Sequence, residues 1–326
     1  MPVRDIVVIG GSAGGIEAVQ RVLGSMPPGL PAAVFVAVHL SPRGKSFLAK
    51  ILDRHGALPA HEAANGARIE PGHVYVAPPD RHLMIAEDHI HLTRGPKEGL
   101  HRPSINVMFR SAASTYGPRV IGILLSGMLD DGAAGLWEIA RHGGTAIVQD
   151  PAEAAFPSMP MNALQDAKVD FTLRAAEIGK VVGQIVNEEM EIPDRDDPGQ
   201  EPVPLEFSGF TCPECRGPLY TKKKPGPLEF RCRVGHVISF DTLMDEDSSM
   251  QERKLYEAMV ALQEGADLAE LAAGRVTGGE REAFMRESAQ LHNYADTIRL
   301  MIERREVPSV LRVEGGSKLP KRGEVA

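Results

Sequence analysis

Short, continuous apolar runs recur through the first part of this chain, each of strand length and each followed by a stretch of helical periodicity. The strand candidates are Ile6 to Ile9, Val34 to His39, Val74 to Ala77, Val120 to Leu125, Ala146 to Val148 and Phe171 to Leu173. Helix-period segments lie between them at Ile16 to Leu23, Phe47 to Leu52, Ile105 to Ala113, Ala133 to Arg141 and Pro160 to Ala167. Strands without polar alternation are buried on both faces, so the pattern predicts an α/β fold: a doubly wound, mainly parallel sheet between two helical layers. His82 to Thr93 alternates around Glu87 and Asp88 and reads as a hairpin excursion. Sites in such sheets form where strands end and loops begin.

The chain has 326 residues, enough for about two domains, and 43% hydrophobic with 25% charged residues is globular composition. Lys and Arg number 36 against 44 Asp and Glu, a net charge of −8. That balance argues against a nucleic-acid partner, because phosphate neutralisation dominates such affinity. Residues 1–10 lack the charged, apolar and cleavage regions of a secretory signal, and no apolar stretch approaches the ~20 residues of a membrane span. The expectation is a cytoplasmic protein without membrane insertion.

The first strand ends in Gly10-Gly11-Ser12-Ala13-Gly14-Gly15. The glycines fit neither the dinucleotide fingerprint nor the Walker pattern, which requires Lys followed by Ser or Thr. They do fit Gly-x-Ser-x-Gly, the tight strand-to-helix turn that exposes a serine oxygen, with the Ala13 amide placed to stabilise an oxyanion. A plain turn with a surface serine is the alternative. The second strand ends at His39, within reach of Ser12 if the two strands pair; His89, His91 and His101 are rivals for a general base. The strand at Val120 ends in Gly127-Met128-Leu129-Asp130-Asp131-Gly132. Either acid could cap the following helix, or one could orient the histidine.

Taken together, Val8 to Gly15, Val38-His39-Leu40, Val74 to Pro78, Arg102-Pro103-Ser104 and Gly127 to Gly132 resemble the catalytic domain of the CheB-type chemotaxis protein-glutamate methylesterases, in order over roughly residues 1–185. The resemblance implies a Ser-His-Asp triad of Ser12, His39 and Asp131, with Met128 lining the pocket. It also implies hydrolysis of glutamyl methyl esters on the cytoplasmic helices of chemoreceptors, with glutamine deamidation as a related reaction and no cofactor for catalysis. Two departures stand out. The nucleophile strand starts at residue 6, leaving no receiver domain ahead of it, so a separate receiver or other chemosensory protein becomes a candidate partner. Ile105-Asn106 stands where many relatives carry an acidic residue.

All three cysteines fall in one segment: Cys212-x2-Cys215, a gap of 16 residues, then Cys232-x3-His236. Two ligand pairs at this spacing predict a small ribbon holding structural Zn2+ through Cys212, Cys215, Cys232 and His236. The domains expected are a catalytic domain at 1–190, an acidic, Pro-rich linker at 191–209, the zinc module at 210–245, a helical hairpin at 246–306 and a flexible tail at 307–326. The hairpin rests on two apolar stripes, Leu255, Met259, Leu262 and Ala266, and Phe284, Leu291, Ile298 and Ile302. The rival reading from another class is a non-catalytic scaffold that binds receptors through the esterase fold; a zinc-dependent nucleic-acid regulator has little compositional support.

Overall fold

The computed structural model describes residues 4–42, 46–188, 204–222 and 225–304. The chain divides into two compact units, Met1–Met244 and Asp245–Ala326.

The first unit opens with β1 (Ile6–Gly11), α1 (Gly15–Gly24), β2 (Ala33–Val38), α2 (Leu48–Asp53), β3 (Ala60–Glu62) and β4 (Val74–Val76). A hairpin of β5 (His82–Ala86) and β6 (His89–Thr93) follows, then α3 (Ile105–Tyr116) and β7 (Val120–Leu124). Next come α4 (Ala133–Arg141), β8 (Thr145–Gln149), α5 (Ser158–Asp166), β9 (Phe171–Leu173) and α6 (Ala175–Ile185). Seven strands form one sheet in the order β3-β4-β2-β1-β7-β8-β9, and every neighbouring pair is parallel.

The apolar strands are continuous because both faces of the sheet are covered. Ile6 and Val8 face a core with Phe35, Phe109 and Leu136, whereas Val7 and Ile9 face the opposite core with Val19, Val34 and Ile123. Each fully buried side chain of this kind contributes about 1.5–3 kcal/mol. The chain first builds outward from β1 through β2, then crosses to the other side of β1 as β7. Strand order therefore reverses at β1, and the crevice at its carboxyl end is where an open α/β sheet forms its site. Two elements were not anticipated. β3 is a short edge strand with His61 and Glu62 exposed, too polar to signal a strand, and α6 lies beyond the last strand read from the sequence.

The same unit continues into an antiparallel sheet of β10 (Leu205–Thr211), β11 (Pro218–Lys222), β12 (Glu229–Cys232) and β13 (Val237–Ser239). β10 begins inside the stretch read as linker, 191–209. It is an edge strand, exposed at almost every position, so its composition resembles a linker although its backbone pairs with β11. Linker residues 191–203 and the tail at 307–326 lie outside the described residues. α7 (Phe240–Ala273) likewise starts within the segment assigned to the zinc module, because the Ser239 hydroxyl accepts the Thr242 amide and caps its first turn.

The second unit contains most of α7 and α8 (Gly279–Glu303). Gly265 packs on Leu291 and the Ser288 hydroxyl donates to Glu270, an antiparallel pairing of the two helices. The anticipated stripes are the shielded ones: Ala266 is buried, and Leu255, Met259, Leu262, Phe284, Leu291, Ile298 and Ile302 are partly so. Among the described residues, no helix is long and apolar enough to cross a membrane.

Candidate active site

Ser12 stands one residue past β1, between the two strands that flank it. Its amide donates to the Ser126 carbonyl just beyond β7, and the His39 amide just beyond β2 donates to the Gly11 carbonyl. Gly14 takes up φ 68 and turns the chain into α1. A β-carbon at Gly14 would come within 2.8 Å of Ala155 and 2.9 Å of the Ser126 hydroxyl, so glycine is required by both conformation and space. Gly127 is constrained by space: a β-carbon there would approach the Met159 methyl to 2.5 Å and the Ser12 β-carbon to 2.9 Å. The turn holds the serine oxygen at the sheet edge.

The His39 ring bridges Ser12 and Asp131. Its Nδ1 lies 3.0 Å from the Ser12 Oγ and its Nε2 lies 2.7 Å from the Asp131 Oδ2. With the proton on Nε2, that edge donates to the carboxylate and Nδ1 is left to accept from the serine. The His39 and Asp131 side chains are 8% and 4% exposed, so the pair is screened from bulk water.

The capping alternative for Asp131 has an unexpected outcome, because the residue caps a different helix from the one that follows it. Its carboxylate accepts the amides of Ile105 and Asn106 and the Ser104 hydroxyl, all at the amino end of α3, at 2.7–3.0 Å. Burial pushes its pKa up, but the hydrogen bond and charge of His39, His101 and the Ile105 amide outweigh that and hold it at about 2. A permanently ionised, fully bonded carboxylate is suited to fixing the imidazole tautomer. Asp130 points away from the triad: Ser239 and Thr242 donate to its Oδ1 at 2.9 and 3.0 Å, and burial raises its pKa to about 6.

Asn106 fills the place where an acidic residue was expected. Its Oδ1 accepts the amides of Gly132 and Gly135, capping α4 behind Asp131. An amide oxygen supplies the acceptor that those donors need without adding a charge at position 106.

His101 enters the site in a way that sequence spacing does not convey. Its ring stacks on His39 with centroids 3.6 Å apart and planes 14° from parallel. Burial first, and the neighbouring His39 second, lower its pKa to about 4, so a neutral ring backs the base. His89 and His91 belong to β6, where both are exposed. Ser104 and Ser126 were not read as site residues, although Arg102-Pro103-Ser104 carried the resemblance. Ser126 binds the Ala13 carbonyl through its hydroxyl, and its own amide donates to Gln149. Ala13 opens the turn before α1, and its amide has no acceptor among the described residues. Met128 and Phe156 remain 58% and 42% exposed.

The second cluster brings Cys212, Cys215, Cys232 and His236 together, with their ligand atoms all within 4.8 Å of one another. The Cys215 and Cys232 sulfurs are 3.6 Å apart, and the His236 Nδ1 lies 3.7 Å from the Cys212 sulfur and 3.6 Å from that of Cys232. Ligands at the Zn–S and Zn–N bond lengths of about 2.3 and 2.0 Å stand roughly 3.5–3.8 Å apart at the corners of a tetrahedron. The cluster can hold a metal ion.

Comparison with known proteins accords with this geometry. Residues 7–182 match the model of the CheB methylesterase family. Protein-glutamate methylesterase/protein-glutamine glutaminase 2 of Methanosarcina mazei is 42% identical over 192 residues, which are 55% of this chain and 52% of that protein. A putative protein-glutamate methylesterase/protein-glutamine glutaminase of Leptospira interrogans is 35% identical over 178 residues, 92% of its own length. The crystal structure of the Thermotoga maritima CheB methylesterase catalytic domain superposes with a TM-score of 0.54 at 31% identity, covering 56% of this chain and 98% of that one. The chain spans about half the length of curated relatives such as the Methanosarcina protein. With its parallel-sheet fold and more than half its length accounted for by one family, the chain belongs to the CheB methylesterases.

Proposed function

We propose that the protein is a serine hydrolase that removes methyl esters from glutamyl side chains of chemoreceptors, with Ser12 as nucleophile, His39 as base and Asp131 as orienter. The observation that carries this reading is the unbroken relay Ser12–His39–Asp131, with contacts of 3.0 and 2.7 Å. Ser12 Oγ attacks the ester carbonyl while His39 Nδ1 takes its proton, and the Ala13 amide steadies the developing oxyanion. Collapse breaks the bond to methoxide, which leaves as methanol with the proton from Nδ1. Water then adds to the glutamyl-enzyme, giving its proton to the same nitrogen, and Ser12 departs protonated. A glutamine side chain in the same place would release ammonia, the related deamidation. Asp131 stays ionised throughout.

Met128 and Phe156 flank the mouth as apolar surface for a helical substrate. The protein would act in the cytoplasm, where receptor signalling helices lie, and catalysis requires no cofactor. Cys212, Cys215, Cys232 and His236 would bind structural Zn2+. Zinc would supply folding energy to a ribbon whose buried cluster contains, beside its cysteines and among the described residues, Leu219, Phe230, Ile238 and Leu243.

The test is labelling with a fluorophosphonate. Labelling of Ser12 in the intact protein, with parallel loss of hydrolysis of a glutamyl methyl ester peptide, is expected. Hydrolysis that continues after complete labelling, or in Ser12→Ala, would overturn the assignment.

A further inference from the structure

The ribbon and the triad lie closer together than their separation in the chain suggests. Val237 directly follows the ligand His236, and its backbone is held on both sides by the loop leading to His101. The Val237 amide donates to the Lys97 carbonyl at 3.3 Å, and the Gly99 amide donates to the Val237 carbonyl at 2.8 Å. Glu98 pairs with Val237 as a parallel bridge and with His101 as an antiparallel one. Leu100, at φ 67, turns the loop so that His101 lands on the face of His39. A second arm runs through Ser239 and Thr242 to Asp130, the residue joined to Asp131. Ion pairs of Lys97 with Glu214 and of Arg110 with Glu98 and Glu229 reinforce the contact, and Gly226 rests on Trp137.

From these contacts we infer that the ribbon is a positioning element of the active site. By clamping the 97–101 loop and the Asp130 corner, a metal-loaded Cys3His centre holds His101 against His39 and Asp131 in register. The inference rests on the esterase reading for its catalytic readout. The direction follows from placement: the ribbon contacts the histidine and aspartate side, while Met128 and Phe156 beside Ser12 remain exposed. The clamp thus bears on the His39 and Asp131 side of the relay. Val237, Ser239 and Thr242 act through the groups they hold and are positioning residues.

The experiment uses the full chain, zinc-loaded, stripped by a chelator and then reloaded. Three signals are followed: ester hydrolysis, the downfield proton resonance of the His39 Nε2–H bonded to Asp131, and emission of Trp137, the only tryptophan in the sequence. Stripping is expected to shift the Trp137 emission, broaden or abolish the His39 resonance and lower kcat about tenfold with little change in KM; reloading with zinc restores all three. A Ser239→Ala/Thr242→Val variant should keep its zinc yet lose several-fold in kcat, which separates the clamp from ribbon folding. Unchanged kcat and resonance in stripped protein with shifted emission would overturn the inference. So would a rise in kcat, or emission that ignores the metal. Absence of turnover in the loaded protein would sink the esterase reading, while the His39 resonance would still decide the positioning claim.

Discussion

The parallel sheet and the ribbon belong to one compact unit but are held together by different physics. In the sheet, β1, β2, β7 and β8 are buried along their whole length, and two apolar cores sandwich them. In the ribbon, β10 is almost wholly exposed, and among the described residues two of the six buried ones in its cluster are cysteines. Apolar burial makes the first self-supporting, whereas the second has too few apolar side chains to offset the entropy of ordering it. Each part is therefore broken differently: the sheet through its packing, the ribbon through its Cys/His cluster.

The largest effects belong to the relay that the sheet supports. Ser12→Ala should lower hydrolysis by about 10⁶-fold, and Asp131→Asn by about 10⁴-fold through loss of the correct imidazole tautomer, both measured as kcat with folding checked by circular dichroism. Asp131→Asn with near-normal turnover would show that the carboxylate only caps α3.

That relay marks the limit of what could be read from the sequence. The apolar runs made the sheet legible because a strand covered on both faces has no polar alternation to confuse it. Ser12 and His39 were legible because both stand where such a run stops. Asp131 could be named only by resemblance, since an acid before a helix equally suits a cap, and here the helix it caps is α3. His101 was visible only as one of several histidines: its stacking on His39 depends on the positive φ of Leu100 and on the pairing of Glu98 with Val237, more than a hundred residues away. The clustering of Cys212, Cys215, Cys232 and His236 was legible from spacing, but the docking of their ribbon beside Asp130 was not. It rests on hydroxyls, backbone groups and scattered ion pairs that carry no pattern.

Next in size is the contrast in stability. Ile123→Ala in the sheet should cost about 2–5 kcal/mol in the main unfolding transition, followed by denaturant titration. Cys232→Ala should leave that transition in place while abolishing zinc binding and shifting Trp137 emission. A single concerted loss of both parts in Cys232→Ala would erase the distinction between them.

The smallest effect is a pH dependence at the seam. Asp131, held at about 2 against an ordinary 3.8, contributes stability that is present above pH 3.8 and lost as pH falls through about 2. Asp130, raised to about 6 by burial, contributes in the opposite sense: its share is complete below pH 3.8 and is lost as pH rises through about 6. Melting temperature should therefore decline between pH 4 and 6 in the native chain, and Asp130→Asn should flatten that slope while its amide oxygen still accepts from Ser239 and Thr242. An unaltered slope in the variant would remove Asp130 from the account.

Whether this strand-end serine cleaves glutamyl methyl esters is decided by methanol release from methylated chemoreceptor cytoplasmic fragments. The intact protein should release methanol and Ser12→Ala none. Receptor binding without methanol from a panel of such fragments would contradict the esterase reading and leave the fold as a scaffold.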